Sequence, residues 1–508
     1  MRERDQPVWT VDEARAADQQ AMAEGVPYEG LLAVAGWQLA RYVQHRVPSG
    51  AVAILTGPGS NGGDGWVAAR HLARRRPVTV IPVLAPRFPG AEGWVRAAQA
   101  AGAEVVEGDE ALARLDTADV VVDAIFGTGF HGSVVESPAA PWLHRLSERR
   151  RPVIAADILS GVDADTGSYD GPPLEVLATV TMGAAKWGLV GYPGAEVSGQ
   201  LVVADIGLPQ HSFAEVGGRW LDPAVAQAWW PRVGTLVQKY DRGHVVVVGG
   251  SRSMPGAPVL AALAALKAGA GLVEVVVPES ALGRVTTSPA LIVHGVPEAT
   301  DGDLVWSDAL KHLVSRADAV VVGPGLGRRV GTRLLDGLAI LHKPTVVDAD
   351  ALRLLAEWNQ PLPSTWVLTP HAGELGALLG WPRAKVNANR REAVLEAAKK
   401  FQVPLLLKGR FSLIAEDRTV WVNPTGHSAL ATAGSGDVLS GMVARLLAAG
   451  LSGGPALALA TYWHGWAGEL GADALGYALT AVDLVDWIGP ASGAILQGRT
   501  PRAVEWWQ

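Results

Sequence analysis

The sequence predicts two successive α/β domains, each built around a parallel β-sheet that is covered by helices. Short runs of β-branched residues alternate with alanine- and leucine-rich stretches along most of the 508 residues, which is typical of repeated β-α-β units. The alternation stops over residues 209–243 and then resumes. A chain of this length also exceeds one ordinary domain. We therefore expect a first domain over residues 1–212 and a second over residues 222–508.

The composition excludes several classes of protein. Hydrophobic residues make up 49% of the chain and charged residues 18%, which is enough apolar material for large cores. The absence of cysteine excludes disulfides, thiolate metal sites and cysteine nucleophiles. The net charge of −7, without a long basic run, argues against binding to nucleic acid or to an anionic membrane. Because there is no apolar signal core and no run typical of a membrane span, we expect a cytoplasmic protein.

Five strands are predicted in the first half, with helical stretches between them. They are AVAIL (51–55), VTVIPVL (78–84), DVVVDAI (119–125), PVIAADI (152–158) and QLVVADI (200–206). The first strand is followed by GPGSNGGDG (57–65), which opens a helix and contains five glycines in nine residues. A strand-to-helix turn needs only one or two glycines. The loop therefore indicates a backbone that approaches an anion at a helix N-terminus.

Two further strands of the first half end in polar or glycine-rich loops. These loops are DAIFGTGFHG (123–132) and DILSGVDADTG (157–167). Because the carboxyl ends of parallel strands meet at one edge of a sheet, all three loops are expected to form one site. Asn61, Asp123 and Ser160 offer oxygen ligands for a monovalent or divalent cation, and Asp157 is then available as a general acid or base. Each aspartate taken alone would serve equally well as a loop cap.

The three loops together resemble the NAD(P)H-hydrate epimerase domain, with Ser60 and Leu159 replacing an asparagine and a proline of that family's motifs. The resemblance implies a Rossmann-like three-layer α/β sandwich in which Asp157 exchanges protons. It implies K⁺ at Asn61, Asp123 and Ser160. The implied substrate-binding set is Ser60, Asn61, Gly62, Gly63, Asp64, Gly127, Thr128, Gly129, Phe130, His131, Gly132, Ser133, Asp157 and Lys186. Lys186 is also the only lysine among the first 238 residues, although a solvated lysine is the usual alternative.

The second half has its own series of strands. They are HVVVVGG (244–250), LVEVVVP (272–278), AVVVGPG (319–325), PTVVDAD (344–350), WVLTP (366–370), VPLLLKG (403–409) and TVWVNP (419–424). The final ninety or so residues are predicted to be mostly helical. Several of these strands end in glycine-rich loops, so a second ligand site is expected at their carboxyl ends.

The stretch ATAGSGDVLSG (431–441) places Asp437 after a run of small residues at the start of a helix. Small residues from Ala431 to Gly436 let backbone N–H groups surround phosphate oxygens at the positive end of the helix dipole. A carboxylate here caps the helix, or takes the proton from a hydroxyl group that attacks phosphorus. We expect Asp437 to do both. The loop is not a Walker motif, because no Gly-Lys-Ser/Thr follows.

The motifs GGS…PGA, VGPGLG, TPHAGE, LLLKG and NPTG…ATAGSGDVLSG, in this order, resemble the ADP-dependent NAD(P)H-hydrate dehydratase domain. The resemblance implies a ribokinase-like α/β fold and Mg²⁺ at the phosphates of ADP. The implied substrate-binding residues are Ala257, Gly325, His371 and Asp437. The implied ADP-binding residues are Lys408, Gly409, Arg410, Phe411, Ser412 and Gly436. His427 stands where the family commonly has asparagine, and His371 has helix capping as its alternative role.

The two resemblances together imply an enzyme that repairs hydrated NADH and NADPH. The first domain would interconvert the R and S hydrates. The second would phosphorylate the S form from ADP and eliminate phosphate, leaving AMP and the restored cofactor. The expected partners are these small molecules, and a homo-oligomer is expected because such enzymes commonly form one. Two alternatives stay open: a ribokinase-like kinase with a stable phosphorylated product, and a first domain that is a non-catalytic nucleotide-binding module.

Overall fold

The computed structural model describes residues 6–209, 217–285, 288–299, 303–327 and 329–507. The chain forms two compact units: residues 1–219 with 503–508, and residues 220–502. Both units alternate helices with strands of a largely parallel sheet, which confirms the predicted α/β class. Within the described ranges, no helix is both long and apolar enough to cross a membrane.

The first unit is built on a parallel sheet flanked by helices. Its strands are β1 (Pro7–Trp9), β2 (Val52–Thr56), β3 (Val78–Pro82), β4 (Glu104–Val105), β5 (Val120–Ala124), β6 (Pro152–Ala156), β7 (Glu175–Met182), β8 (Ala185–Lys186), β9 (Gln200–Ala204) and β10 (Gly218–Trp220). Its helices are α1 (Val11–Ala23), α2 (Tyr28–Arg46), α3 (Ser60–Leu72), α4 (Ala91–Ala100), α5 (Gly108–Thr117), α6 (Ala140–Arg149) and α7 (Gly194–Val197). Seven of these strands lie in one sheet in the order β9-β7-β6-β5-β2-β3-β4, and β1, β8 and β10 are not part of it.

The central strands of this sheet position the three predicted loops. β2 and β5 are buried along their whole length, and both pair in parallel with each other and with their neighbours. Continuous apolar runs of this kind are typical of strands covered on both faces. The loops that follow β2, β5 and β6 therefore leave the same edge of the sheet.

Five strands of the first unit were not predicted: β1, β4, β7, β8 and β10. β7 was not predicted, because its run EVLATVTM carries Thr179 and Thr181, which are polar but β-branched and fully buried. The prediction of no strand in residues 209–243 was wrong. β10 pairs antiparallel with β1, Val8 facing Gly218 and Pro7 facing Arg219. Residues 210–216, in the stretch where the alternation of strands and helices stops, lie outside the described residues.

The second unit contains a longer series of alternating elements. Its further strands are β11 (His244–Val248), β12 (Leu272–Pro278), β13 (Ile292–Val296), β14 (Ala319–Val322), β15 (Thr345–Val347), β16 (Trp366–Leu368), β17 (Leu405–Leu407), β18 (Leu413–Glu416) and β19 (Thr419–Val422). Its helices are α8 (Pro223–Ala228), α9 (Ala257–Lys267), α10 (Glu279–Leu282), α11 (Asp308–Ser315), α12 (Arg333–Ile340), α13 (Asp350–Glu357), α14 (Ala372–Leu379), α15 (Arg383–Ala388), α16 (Arg390–Phe401), α17 (Ser435–Ala448), α18 (Gly453–Leu475) and α19 (Ala481–Leu496).

The sheet of the second unit follows the order β13-β12-β11-β14-β15-β16-β17-β18-β19. Pairing is parallel from β13 to β17 and antiparallel for the last two strands. Helices α9, α17, α18 and α19 contribute much of the buried cluster that covers one part of this sheet. Their sequences are rich in alanine and glycine, so the helices approach each other closely; a Cβ at Gly441 would lie 1.9 Å from the carbonyl oxygen of Ala261.

The chain ends in a strand, β20 (Val504–Trp507), that belongs to the first unit. It pairs in parallel with β9, from Val504 beside Leu201 to Trp507 beside Ala204. Val504 is fully buried, and the Trp507 ring lies edge-on against Tyr42 at 5.4 Å between centroids. The sheet of the first unit is therefore completed by residues about 300 positions away in the sequence.

Replacing Val504 with aspartate should destabilise the first unit by about 2–4 kcal/mol, because an unpaired carboxylate would be buried in the core. Hydrogen exchange of the full chain, followed by mass spectrometry over a range of temperatures, checks this. In the variant, peptides of strands β2 to β9 should lose protection at a lower temperature, while peptides of the second unit should keep theirs. The neighbouring change Glu505→Gln is the control and should leave both temperatures unaltered. Equal losses of protection in the two units would contradict the assignment of β20 to the first unit.

Candidate active sites

The three loops of the first unit meet at a cavity of about 720 Å³. Of the predicted epimerase residues, those that line it are Ser60, Asn61, Asp64, Gly127, Thr128, Gly129, Phe130, His131, Asp157 and Lys186. Helices α1 and α2 form another wall, to which Asp18 and Tyr28 contribute. The phenyl rings of Phe126 and Phe130 stack at 4.6 Å between centroids, which gives the cavity an aromatic side.

A buried ion pair forms the floor of the cavity. The Lys186 ammonium donates to Asp157 Oδ1 at 2.5 Å, to Thr181 Oγ1 at 3.1 Å and to the Met182 carbonyl at 3.0 Å. Asp157 Oδ1 also accepts from the Met182 N–H at 3.0 Å. The Lys186 side chain is only 3% exposed, so the pair is largely desolvated. Its contacts fix the position of the Asp157 carboxylate.

Asp157 is placed by the backbone as well as by Lys186. Its φ is 61°, in the left-handed region that aspartate tolerates better than most residues. Its N–H donates to the Val180 carbonyl at 2.7 Å. Oδ2 accepts no hydrogen bond from the described residues, whereas Oδ1 is held by three donors. One carboxylate oxygen is thus fixed and the other is available to a ligand.

Asn61, Asp123 and Ser160 lie together beneath the cavity. Ser160 donates to the Asp123 carboxylate through Oγ at 2.6 Å and through its N–H at 2.8 Å. Asn61 Nδ2 donates to the Phe126 carbonyl at 2.9 Å, while the buried Asn61 Oδ1 has no hydrogen-bond partner among the described residues. Burial raises the pKa of Asp123, and no described cation lies within ion-pair distance of it. The group therefore has spare oxygen ligands and uncompensated negative charge.

The remaining predicted residues of the first unit do not line the cavity. Gly62 and Gly63 are buried in the first turn of α3, where a Cβ on Gly62 would lie 2.0 Å from the Gly57 carbonyl oxygen. Only glycine allows the helix to start this close to the preceding loop. Gly132 and Ser133 lie in the loop beyond His131, outside the cavity lining.

In the second unit, α17 begins inside the small-residue loop. Gly434 is its N-cap with φ of 89°, so the helix starts at Ser435. The expectation that Asp437 caps the helix was wrong: Asp437 stands in the first turn and accepts no hydrogen bond from the described residues. The reason is the left-handed conformation of Gly434, which starts the helix before the carboxylate. The N–H groups of Gly436 and Asp437 in this first turn have no backbone partner among the described residues and remain available to an anion.

A second ion pair, between the half-buried Lys408 and the buried Asp348, lies next to this helix end. The Lys408 ammonium donates to Asp348 Oδ1 at 2.8 Å, and Ser440 Oγ of α17 donates to Asp348 Oδ2 at 2.5 Å. These contacts outweigh burial and lower the pKa of Asp348, and the same carboxylate raises the pKa of Lys408. A Cβ on Gly436 would lie 3.4 Å from Lys408 Nζ, so glycine leaves room for the ammonium.

No cation among the described residues lies within ion-pair distance of Asp437, whereas Asp348 is paired with Lys408. Burial, followed by the charge of Asp348, raises the pKa of Asp437 to about 7; Lys408 opposes this, and Asp350 and Glu374 add to it. Burial also raises the pKa of Glu374. A carboxyl group that titrates near neutral pH is suited to accept and release a proton.

Most of the other predicted residues of the second unit lie in the turn over residues 408–412 or at the contact between Gly325 and Ala257. Ser412 Oγ accepts from the Gly409 N–H at 3.2 Å and donates to the Gly409 carbonyl at 2.9 Å, which closes the turn over residues 408–412. Phe411 is buried against Trp220 at 5.3 Å, and its φ of 50° is strained for an aromatic residue. The Arg410 guanidinium lies over the Phe411 ring. A Cβ on Gly325 would lie 3.2 Å from Ala257 Cβ, so those two residues are adjacent.

Three histidines of the second unit have structural contacts. His371 Nδ1 accepts from the Gly373 and Glu374 N–H groups at 3.0 and 3.1 Å and so caps α14. His427 Nδ1 accepts from the Ala429 N–H at 3.1 Å. His464, which the sequence analysis did not single out, donates from Nε2 to the Ser435 carbonyl at 3.0 Å, and burial lowers its pKa to about 4. It fixes the start of α17.

Comparison with known proteins supplies the family. A family model described as YjeF-related protein N-terminus matches residues 28–188, and one described as NAD(P)H-hydrate dehydratase matches residues 245–489. A bifunctional NAD(P)H-hydrate repair enzyme from Moorella thermoacetica is 41% identical over 88% of this chain and 88% of that protein. One from Thermofilum pendens is 35% identical over 96% of each. The chain belongs to the bifunctional NAD(P)H-hydrate repair enzymes.

Solved structures are also similar to part of this chain. The ADP/ATP-dependent NAD(P)H-hydrate dehydratase from Bacillus subtilis, co-crystallised with ATP/Mg²⁺, is 28% identical and covers 54% of this chain and 97% of its own, with a TM-score of 0.47.

Several site residues of the repair enzyme escaped the sequence analysis. Asp348 follows β15 in PTVVDAD, which carries the same signal as the first-half loops: an aspartate at the carboxyl end of a buried strand. Asp18 and Tyr28 lie on helices before the first sheet strand of the site, and nothing in their spacing shows that they face a cavity. Ser440 and His464 act through contacts between helices, which the sequence does not reveal.

Replacing Lys408 with methionine should lower the free energy of unfolding by about 3–5 kcal/mol at neutral pH, because Asp348 stays buried without its cation. The pKa of Asp348 lies below the ordinary value in the native protein, so its stabilising effect is present above the unfolded pKa and is lost as the pH falls through the native one. The deficit of the variant should therefore shrink in acid. Urea denaturation measures it, with the exposed Lys399→Met as control. A loss of less than about 1 kcal/mol in the free energy of unfolding at neutral pH would show that the Lys408–Asp348 pair does not stabilise the fold.

Proposed function

We propose that the first unit interconverts the R and S hydrates of NADH and NADPH, and that the second restores the S hydrate to the reduced cofactor with ADP. The observation that carries this proposal is the pair of sites, each with a lysine beside several carboxyl groups at the carboxyl ends of strands. Family membership supports the same assignment. In this proposal the epimerase domain corresponds to the first unit and the dehydratase domain to the second.

In the first unit, Asp157 would exchange protons with the hydrate through its free Oδ2. The Lys186 ammonium, 2.5 Å from Oδ1, orients the Asp157 carboxylate. K⁺ would be held by Asn61, Asp123 and Ser160, since Asn61 Oδ1 is buried without a partner and Asp123 lacks a cation among the described residues. The ion would supply positive charge beneath the cavity and order the loops that follow β2, β5 and β6.

In the second unit, the N–H groups at the start of α17 would hold the phosphate that is transferred, next to Lys408 and the turn 408–412. Asp437 would take the proton from the hydroxyl group of the hydrate as its oxygen bonds to the β-phosphorus of ADP, releasing AMP. The C–O bond then breaks and phosphate leaves. The ring carbon next to the one that carried the oxygen loses a proton, which restores the ring double bond. Hydrate and ADP thus give reduced cofactor, AMP, phosphate and a proton.

Mg²⁺ would accompany the nucleotide. Its usual sites combine one or two carboxylates with phosphate oxygens and water, and Glu374 and Asp437 are carboxylates that act electrostatically on Lys408 here. The ion would neutralise phosphate charge. Among the described residues there is no cluster of three or more His, Asp and Glu side chains that would hold a metal unaided, so phosphate oxygens would complete the coordination. ADP as the preferred nucleotide, K⁺, a homo-oligomer and a cytoplasmic location stay predictions.

Asp437→Asn should lower ADP-dependent dehydration of the S hydrate about 10²–10⁴-fold, because the base is removed while the shape is kept. In the wild type, the rate at saturating substrates should rise with pH through about 7, since a raised pKa leaves Asp437 ionised only above that value. Initial rates of cofactor absorbance recovery measure both effects. R/S exchange should be unchanged. A wild-type pH profile that is flat across neutral pH would contradict the role of Asp437 as base.

Asp157→Asn should slow R/S exchange by a similar factor and leave dehydration of purified S hydrate unchanged. Chromatographic separation of the two hydrates over time, with spontaneous exchange subtracted, checks this. Exposed Asp109→Asn, on α5 of the same unit, is the matched control. Undiminished exchange in Asp157→Asn would instead favour a first unit that binds nucleotide without catalysis.

A further inference from the structure

One carboxyl group that lines the cavity of the first unit has no hydrogen-bond or ion-pair partner among the described residues. Asp64 lies on α3, is 7% exposed and lines the cavity. Its side chain makes no hydrogen bond or ion pair with any residue in the described ranges. A buried polar group in a structural role is normally hydrogen-bonded, because its desolvation is otherwise uncompensated. Asp64 therefore calls for a chemical explanation.

The charged and titratable groups around Asp64 favour its neutral form. Burial raises its pKa well above the ordinary value; Asp157 and Asp18 raise it further, and Lys186 opposes them. Tyr28, on α2, faces the same region, and its own pKa is raised mainly by burial and partly by Asp64. Asp157, in contrast, has the Lys186 ammonium at 2.5 Å. The cavity thus holds one carboxyl group suited to donate a proton and one suited to accept it.

Exchange of the two hydrates requires such a pair. Water adds to the ring double bond of a reduced nicotinamide as it does to any enamine, so the hydroxyl group is bonded to the carbon next to the ring nitrogen. When that hydroxyl is protonated, its C–O bond breaks, water leaves, and the nitrogen lone pair forms a C=N⁺ bond. Water then adds to the opposite face, a new C–O bond forms, and the added water loses a proton. No oxidant or reductant takes part.

We propose that Asp64 donates the proton that releases the hydroxyl group as water, and that Asp157 accepts the proton when water adds to the other face. The intermediate cation lies between carboxylates that stabilise its charge. The proton returns from Asp157 to Asp64 through water in the cavity before the next turnover. This inference rests on the epimerase function proposed above and assigns its two proton-transfer steps to separate residues.

The test compares Asp64→Asn with Asp109→Asn in the full chain. Exchange of purified R hydrate is followed chromatographically over a range of pH, with KM and kcat determined separately. Asp64→Asn should lower kcat about 10²–10⁴-fold with little change in KM. The wild-type rate should fall at alkaline pH, where Asp64 loses its proton, and the residual rate of the variant should lack that alkaline limb. Asp109→Asn should behave as the wild type.

Three further readouts distinguish a catalytic role of Asp64 from a purely structural one. Dehydration of S hydrate by the second unit should be unchanged, and the melting temperature of Asp64→Asn should be equal or higher, because a neutral isostere replaces an uncompensated acid. In water labelled with heavy oxygen, the exchanged hydrate should carry the label. Wild-type kcat in Asp64→Asn, a kcat loss that comes with a lower melting temperature, or an unlabelled product would each overturn the inference. Absence of exchange in the wild type would overturn the proposed epimerase function itself.

Discussion

In each unit one lysine is held against one aspartate, and the chemistry of the site depends on this contact. Lys186 fixes Asp157, and Lys408 fixes Asp348. Burying a charge is costly unless the charge is paired, so each of these charged side chains depends on its partner. Other carboxyl groups nearby then experience a negative neighbour in a desolvated place, which raises their pKa values. Asp437 shows this effect, with a pKa raised to about 7 by burial and by Asp348. Burial beside an ion pair thus gives the site a carboxyl group that can transfer protons near neutral pH.

The folds position these groups by backbone constraints at a few points. Parallel strands deliver the loops to one edge, and glycine or left-handed residues allow the loops to turn sharply there. Gly434 starts α17 early enough that the N–H groups of Gly436 and Asp437 have no backbone partner among the described residues, while the Ser435 carbonyl accepts from His464. In the first unit, the close approach of Gly62 to the Gly57 carbonyl starts α3 directly after its strand. The strand β20 completes the sheet from the far end of the chain. The sheet that positions the first site therefore includes residues about 300 positions further along the sequence.

The sequence was sufficient to predict the α/β class, nearly every central strand and the three loops that form the first cavity. Those signals are local: buried strands are apolar runs, and the loops at their carboxyl ends are rich in glycine and aspartate. The failures concern long-range or three-dimensional facts. β20 pairs with a strand about 300 residues earlier, and no local pattern reveals such a partner. Asp18 reaches the cavity from α1 only because of how that helix packs. Asp437 was expected at the helix cap because aspartate favours that position, but the left-handed conformation of Gly434 took it instead.

The central claim is that one chain carries both halves of the repair. The most direct test mixes the purified protein with NADH hydrate of both epimers, Mg²⁺, K⁺ and ADP, and follows recovery of the reduced nicotinamide absorbance alongside phosphate release. The account predicts complete recovery, beyond the S fraction and faster than spontaneous exchange allows, with one phosphate released for each cofactor restored. Accumulation of a phosphorylated hydrate without recovery would contradict it and favour a ribokinase-like kinase. Recovery that stops at the S fraction would contradict the epimerase half.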